Sequence, residues 1–383
     1  MAHWPSAGAY RAERVREMLM IAGETSGDLH AAAVAAELRM LRPDLQITGI
    51  GGGRMEAAGV QLIERSDRLA VMGFIEVLRH VPRHYLLLRT LRKRLASGRV
   101  GAIMLVDYPG FNMKVAKAAA QAGVPVLYYI TPQVWAWGAG RLAALAQTVT
   151  RAAVILPFEE KLLRDHGVEA TFVGHPLLDR ALDLPTTEDA RRALNLRSDR
   201  PVLALFPGSR AQEIHRHLDL FVAVGREMQR RRPEIQIVVS GAPGMKLEAR
   251  RCPFPVVHGA SFPVLRAADA AMCKSGTTTL EAAVAGCPLV VAYRTSGWTY
   301  AIARRLVRIP HIGLVNVVAG REVAREFVQD ALRPPRVADA LEPLLDPGAD
   351  RTRSLAGLAH VRAQLGTPGA AGRVARIAAE LVQ

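Results

Sequence analysis

Hydrophobic and polar positions follow one rhythm along the chain: a short apolar run, then Gly or Pro, then an amphipathic stretch. The apolar runs lie at 18–22, 45–50, 102–106, 124–130 and 152–156 in the first half and at 202–206, 235–239, 268–273 and 289–292 in the second. Continuous Val, Ile and Leu runs are typical of parallel strands covered on both faces. With amphipathic stretches such as 31–41 between them, they predict an α/β fold of doubly wound parallel sheets.

A polar, proline-punctuated bridge at 176–200 separates the two sets of runs. At roughly 150 residues per domain, the 383 residues suffice for two domains. We expect an N-terminal Rossmann-like domain at 1–180 and a C-terminal one at 181–383, which ends in helices broken at 366–368. Two such domains facing each other would enclose a cleft, the usual place for a ligand.

The chain carries 50 Lys and Arg against 35 Asp and Glu, a net charge of +15. Such a charge favours an anionic partner: nucleic acid, a phosphorylated ligand or an acidic membrane surface. Aromatic residues make up only 5% of the chain, which argues against a surface that stacks bases. No helix-turn-helix, RNP or zinc signature supports a nucleic-acid-binding protein either.

The three cysteines form no CxxC pair, which favours a reducing compartment. No apolar run approaches the roughly 18 residues of a membrane-spanning helix, and residues 1–17 do not resemble a signal peptide. We therefore expect a cytoplasmic protein that is at most peripheral to a membrane. No metal-site spacing is found in the sequence, and His215 and His217 are expected at the solvated surface.

Two loops of the first half follow predicted strands, at the sheet edge where ligands bind in open α/β folds. In the loop 23–28, Ser26 or Asp28 could either cap the next helix or contact a ligand. Asp107 ends the run 102–106 and precedes a Pro-Gly turn. Its carboxylate could take a proton from a hydroxyl, or it could form an Asx turn or helix cap.

Three further residues of the first half allow two interpretations each. Trp135 and Trp137 follow the next strand and suit either a sugar or acyl wall or ordinary core packing. His175, just before the bridge, could be a cleft residue or a hinge contact.

Two loops of the second half suit an anion. Gly208 lets the backbone approach a phosphate, and Arg210 offers a forked donor. The run 275–277 opens a helix whose free N–H groups and dipole suit a diphosphate, with Glu281 in reach of ribose hydroxyls. The alternative is a capped helix with an exposed Glu281. No GxxxxGK[ST] loop is present, so P-loop chemistry is unsupported.

The segment from Val77 to Val106 contains no acidic residue but several Arg and Lys. Its apolar residues fall at helical spacing, interrupted by Pro82. Such a segment can lie in a membrane interface, held by apolar insertion and anionic lipids; the alternative is packed helices with a solvated basic face. The candidate membrane-facing residues are Phe74, Leu78, Val81, Tyr85, Arg89 and Arg92.

Taken in order, these motifs resemble those of the lipid-A-disaccharide synthases, which are inverting glycosyltransferases of family 19 with the two-Rossmann-domain GT-B architecture. The matching stretches are IAGETSGD at 21–28, AVMGFIEVL at 70–78, VDYPGFN at 106–112, VWAW at 134–137, LPFE at 156–159, VGHP at 173–176, PGSR at 207–210, SGT at 275–277 with Glu281, and Asn316 with AGRE at 319–322. The resemblance covers about residues 18–345. So many motifs in one order make it specific.

The resemblance implies transfer from UDP-2,3-diacylglucosamine to 2,3-diacylglucosamine 1-phosphate (lipid X), which yields UDP and a β-1,6 disaccharide. This reaction belongs to lipid A and lipopolysaccharide biosynthesis in a Gram-negative bacterium. The expected partners are the two lipid substrates and an anionic membrane surface, so the protein would lie peripherally on the cytoplasmic face of the inner membrane. Whether it forms a homodimer stays open. No cofactor or metal is expected, because a helix N-terminus and Arg supply the positive charge.

The resemblance also implies a role for each candidate residue. Asp107 would be the general base for the acceptor 6-hydroxyl. The donor side would comprise Gly208, Ser209 and Arg210 with Ser275, Gly276 and Thr277 at the diphosphate, Glu281 at the ribose, and Asn316 and Gln329 along the nucleotide or donor. The acceptor half of the cleft would comprise Ser26, Gly27, Asp28, Asn112, Trp135 and His175.

The chain departs from the family pattern at two places. It has Leu-Val-Asn at 314–316 where the family often has Leu-Pro-Asn, and Arg-Glu at 325–326 where the family often has Pro-Glu. Both departures bear on the roles of Asn316 and Gln329. The alternative enzyme is another UDP-N-acetylglucosamine-dependent GT-B protein, a lipid-II-type transferase or a 2-epimerase. It would share the nucleotide loops but not Asp107 in its Pro-Gly-Phe-Asn setting.

Overall fold

The computed structural model describes residues 17–66, 74–136, 140–241, 251–296, 300 and 310–382, and over 74–82 it describes the helix but not the side chains. Two parallel sheets form over these residues, and helices cover both faces of each. The predicted fold class, two doubly wound α/β units facing across a cleft, is confirmed.

The first half is built around a seven-stranded sheet. Its elements are β1 (Glu17–Ala22), α1 (Thr25–Leu41), β2 (Gln46–Gly51), α2 (Gly53–Ala57), β3 (Gln61–Arg65), α3 (Phe74–Leu95), β4 (Val100–Val106), α4 (Pro109–Gln121), β5 (Val126–Tyr129), α5 (Gly140–Thr148), β6 (Arg151–Val154), α6 (Pro157–Arg164), β7 (Ala170–Phe172) and α7 (Leu177–Arg180). The strand order is β3-β2-β1-β4-β5-β6-β7. The chain therefore winds outward in both directions from β1 and β4.

The second half is built around a six-stranded sheet. Its elements are α8 (Thr187–Ala193), β8 (Val202–Phe206), α9 (Ala211–Arg231), β9 (Gln236–Gly241), β10 (Val256–His258), α10 (Ser261–Ala267), β11 (Ala270–Lys274), α11 (Thr278–Ala285), β12 (Leu289–Tyr293), α12 (Leu314–Ala319), β13 (Glu326–Val328), a 3-10 turn (Gln329–Ala331), α13 (Pro334–Leu345), α14 (Ala349–Gln364) and α15 (Ala370–Leu381). The order β10-β9-β8-β11-β12-β13 repeats the winding of the first sheet, with β8 and β11 at its centre.

Alternate residues of β1 enter two different cores. Leu19 and Ile21 pack into the core beneath α3, α4 and α5, whereas Met18 and Met20 pack into the core beneath α1 and α15. These four side chains are fully buried. A strand covered on both faces needs apolar residues at every position, which is why residues 18–22 form a continuous apolar run.

Four strands were not predicted from the apolar runs: β3, β7, β10 and β13. Each of them forms one edge of its sheet. β3 has the mixed sequence QLIER, and its residues are only partly buried. An edge strand pairs on one side and has less of its surface covered, so it does not need a continuous apolar run.

The last helix returns to the first half of the molecule. Val374, Ala375 and Ala378 of α15 lie in the same core as Val34 and Ala35 of α1. The sequence places the tail with the C-terminal domain, because it follows that domain along the chain. Small residues on both helices allow the two to pack closely, and the tail therefore crosses between the halves. Among the described residues, no helix has the length and apolar character needed to cross a membrane.

Candidate active site

The loops predicted to bind ligands follow the four central strands of the two sheets. They follow β1 and β4 in the first sheet and β8 and β11 in the second, where the strand order reverses. In open α/β sheets, ligands bind outside the carboxyl ends of strands at this point. The two edges face each other, because Arg210 Nη2 after β8 lies 3.5 Å from Glu24 Oε2 after β1. The topology thus brings the candidate loops of both halves to one cleft.

Asp107 is held in a turn of unusual backbone conformation directly after β4. Asp107 and Tyr108 have φ angles of 48° and 50°, in the left-handed region that non-glycine residues rarely adopt. The Asp107 amide donates to Tyr129 O at 3.0 Å, and its carbonyl accepts from Tyr128 Oη at 2.9 Å and from Asn112 Nδ2 at 2.7 Å. These bonds fix the turn and so the direction of the Asp107 side chain.

The surroundings of Asp107 favour a protonated carboxyl more than water does. Burial and the nearby Glu24 carboxylate raise the pKa of Asp107 above its ordinary value, while the Tyr108 amide and the Arg210 guanidinium act in the opposite direction. A carboxylate with a raised pKa is a stronger base. The geometry therefore suits Asp107 to accept a proton from a hydroxyl group.

Asn112, which was predicted to border the acceptor, bonds the backbone of the turn that carries Asp107. Its side chain is fully buried, and Nδ2 donates to the carbonyls of Val106 and Asp107. Asn112 therefore acts on the site through the turn that carries Asp107. Only the tertiary structure shows this bond. The sequence gives the spacing of Asp107 and Asn112 near a helix start but not the direction in which either side chain points.

The loop after β1 becomes helical earlier than predicted. Helix α1 begins at Thr25, so Ser26 lies exposed in its first turn and Gly27 is buried there. Asp28 does not cap its own helix. Its buried carboxylate accepts from the amides of Gly52, Arg54 and Met55, at 2.7, 3.2 and 3.1 Å.

Asp28 therefore caps α2, the helix after the neighbouring strand. Its carboxylate oxygens are engaged with backbone, and its place beside the acceptor stays a prediction. Ser26 keeps an exposed position at the cleft edge of this loop.

The loop after β8 presents a guanidinium to the cleft. Gly208 has a φ of 134°, a conformation that favours glycine. The amides of Ser209 and Arg210 donate to Glu213 Oε2 at 3.1 and 3.4 Å, which anchors the start of α9. The Arg210 side chain is 63% exposed. It is therefore available to an anionic ligand.

The loop after β11 adds a second cation, which we did not select from the sequence. Lys274 Nζ pairs with Glu213 Oε1 at 2.8 Å and lies over the Tyr293 ring. Ser275 Oγ donates to Ile312 O at 2.7 Å, and Gly276 adopts a φ of 153°. Lysine is rare in this chain, so its position at a strand end was a usable signal.

Glu281 is buried on α11 and contacts Arg180 of α7, Nη1 to Oε1, at 3.1 Å. The alternative of an exposed Glu281 is therefore wrong. The Arg180 guanidinium also lies over the Phe262 ring. The contact links the segment between the halves to the helix that follows the β11 loop.

Asn316 and Gln329, which were predicted along the nucleotide or donor, both bond other segments of the second half. Asn316 is fully buried: Nδ2 donates to Ala324 O and Glu326 Oε1, at 2.6 and 2.8 Å, and Oδ1 accepts from the amides of Val323 and Ala324. An amide used in this way has no donor or acceptor left for a ligand.

Gln329 bonds the backbone of one residue, Thr295, with one donor and one acceptor. Its Oε1 accepts from the Thr295 amide at 2.8 Å and its Nε2 donates to the Thr295 carbonyl at 3.1 Å. Gln329 therefore holds the segment after β12 against the end of β13.

A hydrogen-bonded chain connects Asn316 to the β11 loop. Asn316 bonds Glu326, whose carboxylate also accepts from the amides of Ile312 and Gly313. Ser275 Oγ in turn donates to the Ile312 carbonyl. Asn316 therefore positions the β11 loop through Glu326.

Trp135 and His175 contribute structural contacts. Trp135 Nε1 donates to Glu159 Oε1 at 3.0 Å, and its ring packs edge-on against Phe158 beside the core of the second half. His175 is buried, with its Nδ1 accepting from the Leu177 amide at 3.1 Å. Burial lowers the pKa of His175 to about 3, with a smaller contribution from His30. His175 is therefore neutral and holds the start of α7. Trp137 lies outside the described residues.

The prediction of a solvated His217 is wrong, whereas His215 is exposed. His217 Nδ1 donates to Glu213 O at 2.7 Å, and its Nε2 accepts from the Arg294 amide at 3.0 Å. It thus ties the first turn of α9 to the segment after β12. Among the residues that the structure describes, no His, Cys, Asp and Glu side chains cluster as a metal site would require.

Helix α3 runs through Pro82 without the expected interruption. Tyr85 and Leu86 are 64% and 59% exposed, and Arg89 and Arg92 are exposed as well. The side chains of Phe74, Leu78 and Val81 lie outside what is described. The described part of α3 therefore presents both exposed apolar and exposed basic side chains.

Comparison with known proteins agrees on one family. A family model described as "Lipid-A-disaccharide synthetase" matches residues 18–367. The lipid-A-disaccharide synthase of Myxococcus xanthus is 40% identical over 372 residues, 95% of this chain and 97% of the relative. The lipid-A-disaccharide synthase of Geobacter metallireducens is 40% identical over 374 residues, which are 96% of this chain and 97% of the relative.

Solved structures support the fold alone. The calicheamicin glycosyltransferase CalG4 matches with a TM-score of 0.60 at 18% identity, over 96% of this chain and 97% of that one. A UDP-GlcNAc 2-epimerase from Neisseria meningitidis matches with a TM-score of 0.57 at 10% identity, over 95% of this chain and 99% of that one.

Proposed function

Because the chain belongs to the lipid-A-disaccharide synthase family and is a glycosyltransferase of lipid A biosynthesis, we propose the substrates and the residues that carry its reaction. The donor is UDP-2,3-diacylglucosamine and the acceptor is 2,3-diacylglucosamine 1-phosphate. The products are UDP and a β-1,6-linked disaccharide 1-phosphate. The observation that carries this proposal is the meeting of the Asp107 turn and the Arg210 loop at one cleft, at the central strands of the two sheets.

Asp107 is the proposed general base. As the acceptor 6-hydroxyl oxygen forms its bond to C1 of the donor sugar, its proton passes to the Asp107 carboxylate. The bond between C1 and the UDP oxygen breaks, and its electron pair leaves with the diphosphate. A single displacement inverts the configuration at C1. The raised pKa of Asp107, caused first by burial and then by Glu24, supports this role.

Arg210 is the proposed partner of the leaving diphosphate. Its exposed guanidinium can form two parallel hydrogen bonds to phosphate oxygens. The amides at 275–277 and the N-terminus of α11 add partial positive charge, and Lys274 lies at the end of the adjoining strand. Since these groups can stabilise the charge that develops on UDP, the proposal requires neither a metal ion nor a cofactor.

The remaining donor residues are proposed to act at different distances. Glu281, near the start of α11, would exchange its contact with Arg180 for the ribose hydroxyls. Asn316 and Gln329 would support the nucleotide indirectly, through the bonds they make to Glu326 and Thr295.

We further propose that α3 brings the enzyme to its acylated substrates. Its exposed Tyr85 and Leu86 would insert at the lipid interface, and its exposed Arg89 and Arg92 would attract anionic headgroups. The proposed location is therefore the cytoplasmic face of the inner membrane.

A product assay tests the proposed reaction. Purified protein is incubated with UDP-2,3-diacylglucosamine and lipid X, and the lipids are separated by thin-layer chromatography and identified by mass spectrometry. We expect a disaccharide 1-phosphate that requires both substrates, together with stoichiometric UDP. Epimerisation of UDP-N-acetylglucosamine without disaccharide formation would instead support the 2-epimerase alternative.

A further inference from the structure

Glu24 lies where the two halves of the molecule meet, and the mechanism above assigns it no contact with a substrate. It occupies the N-cap position of α1, after β1. Its Oε2 lies 3.5 Å from Arg210 Nη2 of the opposite half. The Glu24 side chain is 41% exposed, so an incoming ligand can reach this contact.

Glu24 also acts on Asp107, the proposed base. Its negative charge adds to the effect of burial in raising the pKa of Asp107, and it likewise adds to burial in raising the pKa of Tyr108. Arg210 acts on Asp107 in the opposite direction. Glu24 is therefore electrostatically coupled both to the proposed base and to the proposed diphosphate ligand.

The charged and titratable groups around Asp107 come from several elements. Glu24 belongs to the start of α1, Arg210 to the start of α9, Tyr108 to the turn itself and Tyr128 to β5. Among these groups, Glu24 carries the like charge that favours a protonated Asp107.

We propose that Glu24 is a positioning residue that holds Arg210 in the absence of a nucleotide and gives it up to the donor diphosphate. This inference rests on the function proposed above. An exposed carboxylate–guanidinium pair is held weakly, whereas a diphosphate offers several charged oxygens to the same fork. Once released, the Glu24 charge is no longer neutralised by Arg210, and it strengthens the neighbouring Asp107 as a base when the donor is in place.

Titration calorimetry with UDP tests the competition directly. Glu24→Gln keeps the size of the side chain but removes one of the two carboxylates beside Arg210. The other, Glu213, has its Oε1 3.7 Å from Arg210 Nη1 and stays in place. We expect the Glu24→Gln variant to bind UDP about two- to five-fold more tightly than wild type, the range that an exposed ion pair allows. Arg210→Ala should bind UDP more weakly, and adding Glu24→Gln to it should change nothing further.

Two controls separate the possible results. Glu188→Gln removes another exposed carboxylate, one that pairs with Arg192 on α8, and its UDP affinity should match wild type. If Arg210→Ala binds UDP normally, the proposed role of Arg210 fails. If Arg210→Ala weakens binding but Glu24→Gln binds no more tightly than wild type, the competition proposed here is overturned while the role of Arg210 stands.

The pH dependence of turnover gives a second readout that a merely structural role would not move. In Glu24→Gln the acidic limb of kcat, which reports the substrate-bound enzyme, should shift to lower pH, because Asp107 loses its like-charged neighbour. Glu24→Asp keeps that charge but withdraws it from Arg210, so it should bind UDP more tightly with an acidic limb close to wild type. If Glu24→Gln is correctly folded yet as inactive as Asp107→Asn, Glu24 acts in the chemical step and the positioning role is wrong.

Discussion

The ring of Tyr108 lies against the backbone of Gly23, so that a Cβ at Gly23 would come within 2.2 Å of Tyr108 Cδ1. The loop after β1 and the turn after β4 are thus packed at a distance that only glycine allows. The other end of the ring is held by His84 of α3, whose Nε2 lies 2.9 Å from Tyr108 Oη. The position of Asp107, the preceding residue, depends on both contacts.

We predict that Gly23→Ala reduces kcat by about ten-fold or more, since a displacement of about 1 Å in a catalytic group has effects of this size. The new methyl group must push the Tyr108 ring aside and tilt the turn. UDP affinity, measured by calorimetry, should change little. Gly110→Ala is the matched control, because a Cβ there meets no atom within 4 Å. Equal kcat values for the two variants would refute the prediction.

Asp107→Asn should lower kcat by at least about 100-fold, as loss of a general base does, while UDP affinity stays within about two-fold of wild type. In wild type, kcat/KM should fall as the pH drops through the pKa of Asp107, which burial raises above the ordinary value of about 3.9. Rates at fixed pH and a full pH profile check both statements. Asp44→Asn, at an exposed Asp that pairs with Arg42, should match wild type.

Glu159 makes stability depend on pH. Burial raises its pKa to about 7 in the folded state, against an ordinary value of about 4.3. The folded protein therefore binds the proton more tightly than the unfolded chain, and the contribution to stability falls as the pH rises from about 4.3 to about 7. Between pH 5 and pH 8 the unfolding free energy of wild type should fall, relative to that of Glu159→Gln, by on the order of 2 kcal/mol.

Urea denaturation at both pH values measures this change. The comparison concerns the slope with pH, because the variant also alters the bonds to Trp135 and to the Leu156 amide. Parallel pH profiles for wild type and Glu159→Gln would show that this carboxyl does not titrate as stated.

Asn316→Ala should destabilise the protein by about 3 kcal/mol, because it leaves buried amides and carbonyls of the 323–326 segment without partners. Weaker UDP binding should accompany this loss, since the segment supports the Ser275 loop. Arg210→Ala provides the contrast: it should weaken UDP binding at unchanged stability. A stable Asn316→Ala protein with weak UDP binding would favour direct ligand contact instead.

Membrane association should depend on the exposed basic residues of α3. We predict that Arg89→Glu with Arg92→Glu reduces binding to vesicles rich in phosphatidylglycerol by more than about ten-fold, at roughly 1 kcal/mol per basic residue. Co-sedimentation measures the bound fraction. Lys114→Glu with Lys117→Glu, at exposed positions of α4, changes the net charge equally and should bind normally.

Arg94 is left unchanged in this test, although it belongs to the same basic segment. Its guanidinium pairs with the buried Glu17 carboxylate at 2.7 Å. Replacing it would leave a buried charge without its partner and would disturb the start of β1. Equal vesicle binding by wild type and the α3 double variant would show that this face is solvated.

The strands that could be predicted from the sequence differ from those that could not in how much of their surface is covered. The central strands β1, β4, β8 and β11 are covered on both faces, so their residues are apolar throughout and visible as runs. The edge strands β3, β7, β10 and β13 are shorter or mixed in sequence and were missed. Because the ligand loops follow the central strands, Asp107 and Arg210 could be selected from the sequence even though none of the four edge strands was predicted.

Hydrogen-bond partners required the folded structure. Asp28 does not cap its own helix but caps α2, which begins at Gly53, by accepting from the Gly52 amide. Asn316 and Gln329 bond backbone of neighbouring segments, and His217 reaches Arg294. Each of these polar side chains occurs in a setting that also suits a ligand contact or a solvated surface, and nothing local distinguishes the two.

By itself, the sequence determined the two parallel sheets, the family and the loops that carry the chemistry, because apolar runs and short motifs are local properties. Only the tertiary structure decided that Glu24 faces Arg210, that α15 returns to the first half, and which polar side chains hydrogen-bond the loops. Those outcomes depend on contacts between residues far apart in the chain, where a buried donor or acceptor takes whichever partner the fold brings to it.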